Sequence, residues 1–255
     1  MNEAVETLKK YLSNEINTVH YHGNDSLVSR FCDVLYYGKT VECDAPDMYI
    51  KIDNEIWILE HFEFDCYKAN RKGSTYKREK NRIDRAESEL EPSEKGVVFH
   101  DTIKADSSYV NYIDNVTRSF RSHYEKVEQY KKNLLEEKIA DDKTDFKIIF
   151  LVDDVSPLGS SYVDERGIWR PIVLSHSKKF LQLLEESPLV DGVLSVSCGN
   201  SEKYIWFIDR RQINEYYNNV EDYDSCKFMD FKPHVVGVKI AIPDELIKGS
   251  LEEKE

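Results

Sequence analysis

Two β-rich runs, Met48–Ile52 and Ile56–Phe64, flank the turn-like Asp53-Asn54-Glu55. Apolar, β-branched and aromatic residues bounded by such a turn are the signature of a hairpin. Side chains on a strand alternate between its faces. Within 56–65 one face therefore carries Ile56, Ile58, Glu60, Phe62 and Phe64, and the other Trp57, Leu59, His61, Glu63 and Asp65. The stretch from Ala45 to Lys68 holds six carboxylates, one histidine and two lysines. Core strands bury at least one face, so these charges need a reason to be there.

The rest of the chain supplies the layers around such a hairpin. Residues 2–13 read as a helix with Val5, Leu8, Tyr11 and Leu12 on one face. A second helix follows a cap at Asp25 or Ser26, turns Val28, Phe31, Cys32 and Leu35 inward and ends near Gly38. Residues 69–109 are polar and irregular, which predicts a long loop that is either functional or disordered. From about Asp114 to Glu137, Val116, Phe120, Tyr124, Val127, Tyr130 or Lys131, and Leu134 form the stripe of one long helix. Phe146–Val155 is a nearly continuous apolar run, as in a strand buried on both faces. A strand at Ile168–Leu174, a helix at 175–187 and two more strands joined at Gly199-Asn200 complete the order. The expected fold class is α/β, a mixed central sheet flanked by helices. It forms a single domain over 1–250, with its core at about 25–155, an extension at about 156–250 and an acidic tail at 251–255.

No apolar run approaches the ~20 residues that span a bilayer, and the acidic, amphipathic start has no apolar signal-peptide core, so the expectation is a soluble cytoplasmic protein without a membrane partner. The five cysteines are odd in number and lack C-x-x-C spacing, which points to reduced, structural thiols. The net charge of −13 opposes polyanion binding over the whole surface. The charge is uneven, however. Between Lys68 and Arg85 eight basic side chains face only Glu79 and Asp84, a local +6. Arg71, Lys72, Lys77, Arg78, Lys80 and Arg82 are the candidates there for contacts to a nucleic-acid backbone.

Crowded carboxylates repel one another, and burying them unpaired is costly. A divalent cation such as Mg²⁺ or Mn²⁺ resolves both, because it takes oxygen ligands and keeps several waters for a substrate phosphate to replace. Asp47, Glu63 and Asp65 are the candidate ligands, with His61 on the same face as the latter two. Glu60 stands between apolar neighbours on its own face, the place of a buried acid.

Pro46-Asp47, a hairpin, a strand with paired acids, a long helix and a buried strand, in that order, resemble the PD-(D/E)XK nuclease superfamily over roughly residues 25–155. The resemblance implies a restriction-endonuclease-like core and metal-dependent hydrolysis of phosphodiester bonds in DNA or RNA, often in prokaryotic defence. It implies that Asp47 and a second acid bind metal and that a lysine positions the attacking water. The motif is degenerate. With Glu60 as the second acid, Phe62 stands where the lysine belongs. With Glu63, Asp65 does. Lys51 or Lys68 then serves as a displaced lysine. The missing lysine and the net acidity also fit a second expectation, an inactive nuclease-fold protein that binds nucleic acid or a protein partner.

Overall fold

The computed structural model describes residues 19–20, 26–43, 45–70, 73–90, 97–156, 160–198, 203–230 and 232–239. The helix expected at 2–13, the acidic tail, Arg71 and Lys72 lie outside the described residues. The chain divides into two compact units, where the sequence suggested one. The first runs to Cys66 and resumes from Ser108 to Met229; the second is Tyr67–Ser107 together with the chain from Asp230.

The first unit is built on a mixed sheet. In spatial order its strands are Val19–His20, Lys203–Asp209, Gly192–Cys198, Asp145–Asp154, Glu55–Phe64, Met48–Ile52 and Lys39–Glu42. Glu55–Phe64, Asp145–Asp154 and Gly192–Cys198 are parallel neighbours; Met48–Ile52 on one side and Lys203–Asp209 on the other run antiparallel to them, and Lys39–Glu42 is antiparallel to Met48–Ile52 in turn. The expected strand–helix–strand step into a parallel neighbour is therefore present. Ile148 to Val152 are all buried, because helices cover both faces of this central strand.

On one face the helix Ser26–Tyr37 packs Phe31, Val34 and Leu35 against Trp57, Leu59, Ile149 and Leu151. Gly38 ends that helix with its N–H on Val34 O at 2.8 Å. A Cβ at Gly38 would stand 2.3 Å from the Ile50 side chain, so only glycine lets the chain turn this closely into the sheet.

On the other face the single long helix of the sequence reading is two. Tyr109–Tyr124 is capped by the Ser108 side chain, and Val127–Glu136 follows a turn at Glu125 and Lys126. No glycine or proline marks the break, so the stripe of apolar residues ran through it unbroken. Phe120 meets the rings of Phe62, Phe150 and Phe180, the last from the helix Lys178–Glu185.

The second unit corrects the expected loop at 69–109. Thr75–Ser88 is a helix capped by the Ser74 side chain, and Val97–Thr102 pairs antiparallel with His234–Lys239. The helix escaped notice because Ile83 is its one buried residue, too little for a visible stripe. Cys32, Cys43, Cys66 and Cys226 are free thiols, in line with the reading of the cysteines. Among the described residues no helix is long and apolar enough to cross a membrane.

Candidate active site

The hairpin closes on a two-residue turn, with Ile52 paired to Glu55 and Met48 to Leu59. One step beyond that last pair, Asp47 meets Glu60 rather than Glu63. The Asp47 N–H donates to Glu60 Oε2 at 3.2 Å, and the His61 N–H donates to Asp47 Oδ2 at 2.8 Å. His61 thus enters through its backbone.

Glu60 is buried, with 3% of its surface exposed. Two helices satisfy it. Tyr130 donates its hydroxyl to Glu60 Oε1 at 2.7 Å, and His123 Nδ1 lies 2.6 Å from the same oxygen. An ionised carboxylate only accepts, so His123 carries its proton on Nδ1. Burial raises the Glu60 pKa, but the hydrogen bonds from His123, Tyr130 and Asp47 outweigh it and hold the carboxyl below its ordinary value. Burial, and then the same contact, push the Tyr130 hydroxyl up. The His123 ring stacks on Phe62, centroids 5.0 Å apart. Phe62 is the residue that the resemblance, with Glu60 as second acid, sets where a lysine is expected. His123 carried no signal in the sequence, and Tyr130 read only as core. Their clue is the need of a buried acid for donors.

The other candidates are dispersed. Glu63 is exposed and pairs in register with Asp153, three residues past Glu60. Asp65 is buried beyond the strand end, and its carbonyl accepts from Asn115 Nδ2 at 2.7 Å. The expected trio of Asp47, Glu63 and Asp65 is therefore not gathered by the hairpin. Lys51 is four residues up its strand from Asp47, ~13 Å at the usual rise, and donates to the Ile139 carbonyl at 2.6 Å. Lys68 belongs to the second unit.

The second unit also holds the described part of the basic run. Lys77, Arg78, Lys80 and Arg82 are exposed on the helix Thr75–Ser88. Arg82 is held by Glu79 at 3.2 Å and by Asp101 at 3.0 Å, so the ribbon neutralises part of the local charge.

Asp154, at the end of the central strand, serves the following turn. Its carboxylate accepts the N–H groups of Ser156 at 3.0 Å and Ser160 at 3.1 Å. Complete burial pushes its pKa up to about 6 despite these bonds. A carboxyl whose pKa is raised by folding stabilises the fold below its unfolded value, and that contribution is lost as pH rises through the folded value. Glu60, held low, acts in the opposite sense: its contribution is lost as pH falls. Relative to Asp154→Asn, which cannot titrate, the wild type is expected to lose about 2 kcal/mol of stability between pH ~4 and ~7.5. Urea midpoints of both proteins at the two pH values measure this, and a constant difference would refute it.

Among the described residues no three His, Cys, Asp or Glu side chains form a metal-binding group. The chemistry of the remaining pair still suits Mg²⁺, which needs one or two carboxylates and takes its other oxygens from water and substrate phosphate. Glu60 is held ionised, and its Oε2 accepts one long hydrogen bond. The chain matches no protein-family model, no curated protein and no solved structure.

Proposed function

We propose that this chain is a metal-dependent nuclease with a restriction-endonuclease-like core, hydrolysing phosphodiester bonds in DNA or RNA at Asp47 and Glu60. The observation that carries the reading is that the two residues adjoin on neighbouring strands, the backbone N–H of Asp47 donating to Glu60 Oε2 and the Asp47 carboxylate accepting from His61 N–H. The element order supports it: a helix, three antiparallel strands, a helical layer, and a fourth strand parallel to the third. Asp47 and Glu60 would hold Mg²⁺ or Mn²⁺, which supplies an activated water and neutralises charge at the phosphate. Tyr130 and His123 keep Glu60 ionised. The exposed cations of the helix Thr75–Ser88 contact nucleic-acid backbone, independently of sequence.

A second reading has its own observation. Phe62 stands where the resemblance expects the lysine, and Lys51 is tied to the Ile139 carbonyl. That suits an inactive nuclease-fold protein that only binds nucleic acid or a protein partner. Plasmid, single-stranded DNA and RNA incubated with the protein separate the two. Cutting with Mg²⁺ or Mn²⁺ and none in EDTA is the expected result. Retention of nucleic acid without cutting would favour the second reading, and neither cutting nor retention would leave no support for a nucleic-acid substrate.

A further inference from the structure

The sequence motif places no lysine beside Glu60, and the strand offers none. The side chains that reach Glu60 come from the helical layer. Tyr130 and His123 are seven residues apart and lie on different helices, Val127–Glu136 and Tyr109–Tyr124. The turn at Glu125 and Lys126 brings both onto one oxygen. That oxygen, Oε1, accepts from Tyr130 at 2.7 Å and from His123 at 2.6 Å, while Oε2 sits 3.2 Å from the Asp47 N–H. The two oxygens of Glu60 are thus not equivalent. One is turned into the helices, and the other is held at Asp47.

We propose that Tyr130 and His123 are positioning residues that lock Glu60 with Oε2 at the Asp47 backbone, so that its carboxylate is already oriented, beside Asp47, when a divalent cation binds. The proposal rests on the nuclease reading and names the side chains that orient its buried acid. A buried glutamate needs one or two donors for satisfaction alone. Here both helix donors converge on the oxygen away from Asp47, and the ring of one is fixed by its stack on Phe62, 20° from parallel. A carboxylate restrained in this way loses little rotamer freedom when it binds an ion. Outer groups of this kind typically tune metal affinity by ~10–100-fold.

The test is Mn²⁺ binding to the full chain, read by titration calorimetry and by the electron paramagnetic resonance of free Mn²⁺, with thermal melts of each variant alongside. Wild type is expected to bind, and Glu60→Gln to lose binding. Tyr130→Phe, which removes one oxygen and keeps the packed ring, and His123→Ala are expected to weaken Mn²⁺ by ~10–100-fold. His123→Asn, whose amide N–H can stand near Nδ1, is expected to recover most of that loss. A purely structural role would lower the melting temperature without moving Mn²⁺ affinity. Tyr130→Phe and His123→Asn that both bind like wild type, where Glu60→Gln does not, overturn the inference and leave the nuclease reading intact. Wild type that neither binds Mn²⁺ nor cuts overturns that reading and the inference with it.

Discussion

Asp47→Asn and Glu60→Gln are each expected to lower metal-dependent cutting by ~10³-fold, while Glu63→Gln cuts as the wild type does. Metal-based charge stabilisation is worth several kcal/mol, and each 1.4 kcal/mol is about a tenfold change in rate, which sets the scale. The contrast with Glu63 is the sharper part. Glu63 is exposed and opposite Asp153, whereas Glu60 is buried and bonded to the Asp47 backbone. Initial rates at saturating Mg²⁺ on the best-cut substrate decide it. Loss in Glu63→Gln with retention in Glu60→Gln would restore the ligand set suggested by the sequence. Loss in neither Asp47→Asn nor Glu60→Gln would place the chemistry elsewhere or in a contaminant.

The difference between those two ligand sets comes down to one residue of turn. Taken as a three-residue turn, Asp53-Asn54-Glu55 puts Asp47 opposite His61, on the face of Glu63 and Asp65. The strands instead close on Asp53 and Asn54, with Asp53 at a φ of 50°, and Ile52 pairs with Glu55. A slip of one residue exchanges the faces of a strand, so Asp47 reaches Glu60. The acids were legible because charges interrupt an apolar alternation, and Glu60 already read as the acid with apolar neighbours. Which two would meet depended on a turn whose length the sequence leaves ambiguous. His123 and Tyr130 were harder still, since they reach Glu60 from 63 and 70 positions away.

The layers followed the same logic. The strand Asp145–Asp154 and the stripe through Val116 and Phe120 were readable because burial was concentrated in short windows. The second unit was not. Its helix buries only Ile83, and the strand Val97–Thr102 finds its partner at His234–Lys239, far along the chain. Arg82 on Asp101, and Glu87 crowding the Cα of Gly237, show that this helix packs on the ribbon through its polar side. No periodicity rule in the amino-acid order marks such a contact.

Phe120→Ala is expected to be the most destabilising single change on the helical face, costing about 3–5 kcal/mol. Phe120 is fully buried, with Phe150 on the central strand 4.9 Å away, Phe180 5.9 Å away and Phe62 on the hairpin 6.4 Å away, all edge-on or nearly so. Removing the ring opens a cavity between sheet and helices and forfeits three edge contacts, each worth ~0.5–1.5 kcal/mol beyond burial. The melting temperature of the first unit is expected to fall by roughly 6–20 °C. Val110→Ala, on the exposed side of the same helix, is the control and is expected to stay within about 0.5 kcal/mol of wild type. Equal urea midpoints for the two variants would mean that the helix does not seat on the sheet through Phe120. The same change reaches the site. His123 lies one turn further along that helix and stacks on Phe62, a ring that Phe120 also touches. Phe120→Ala should therefore weaken Mn²⁺ binding together with stability, whereas Tyr130→Phe weakens binding at a smaller cost in stability, about 1.5–3 kcal/mol for one hydrogen bond to a buried charge. That separation distinguishes a helix that holds the fold from side chains on it that hold Glu60.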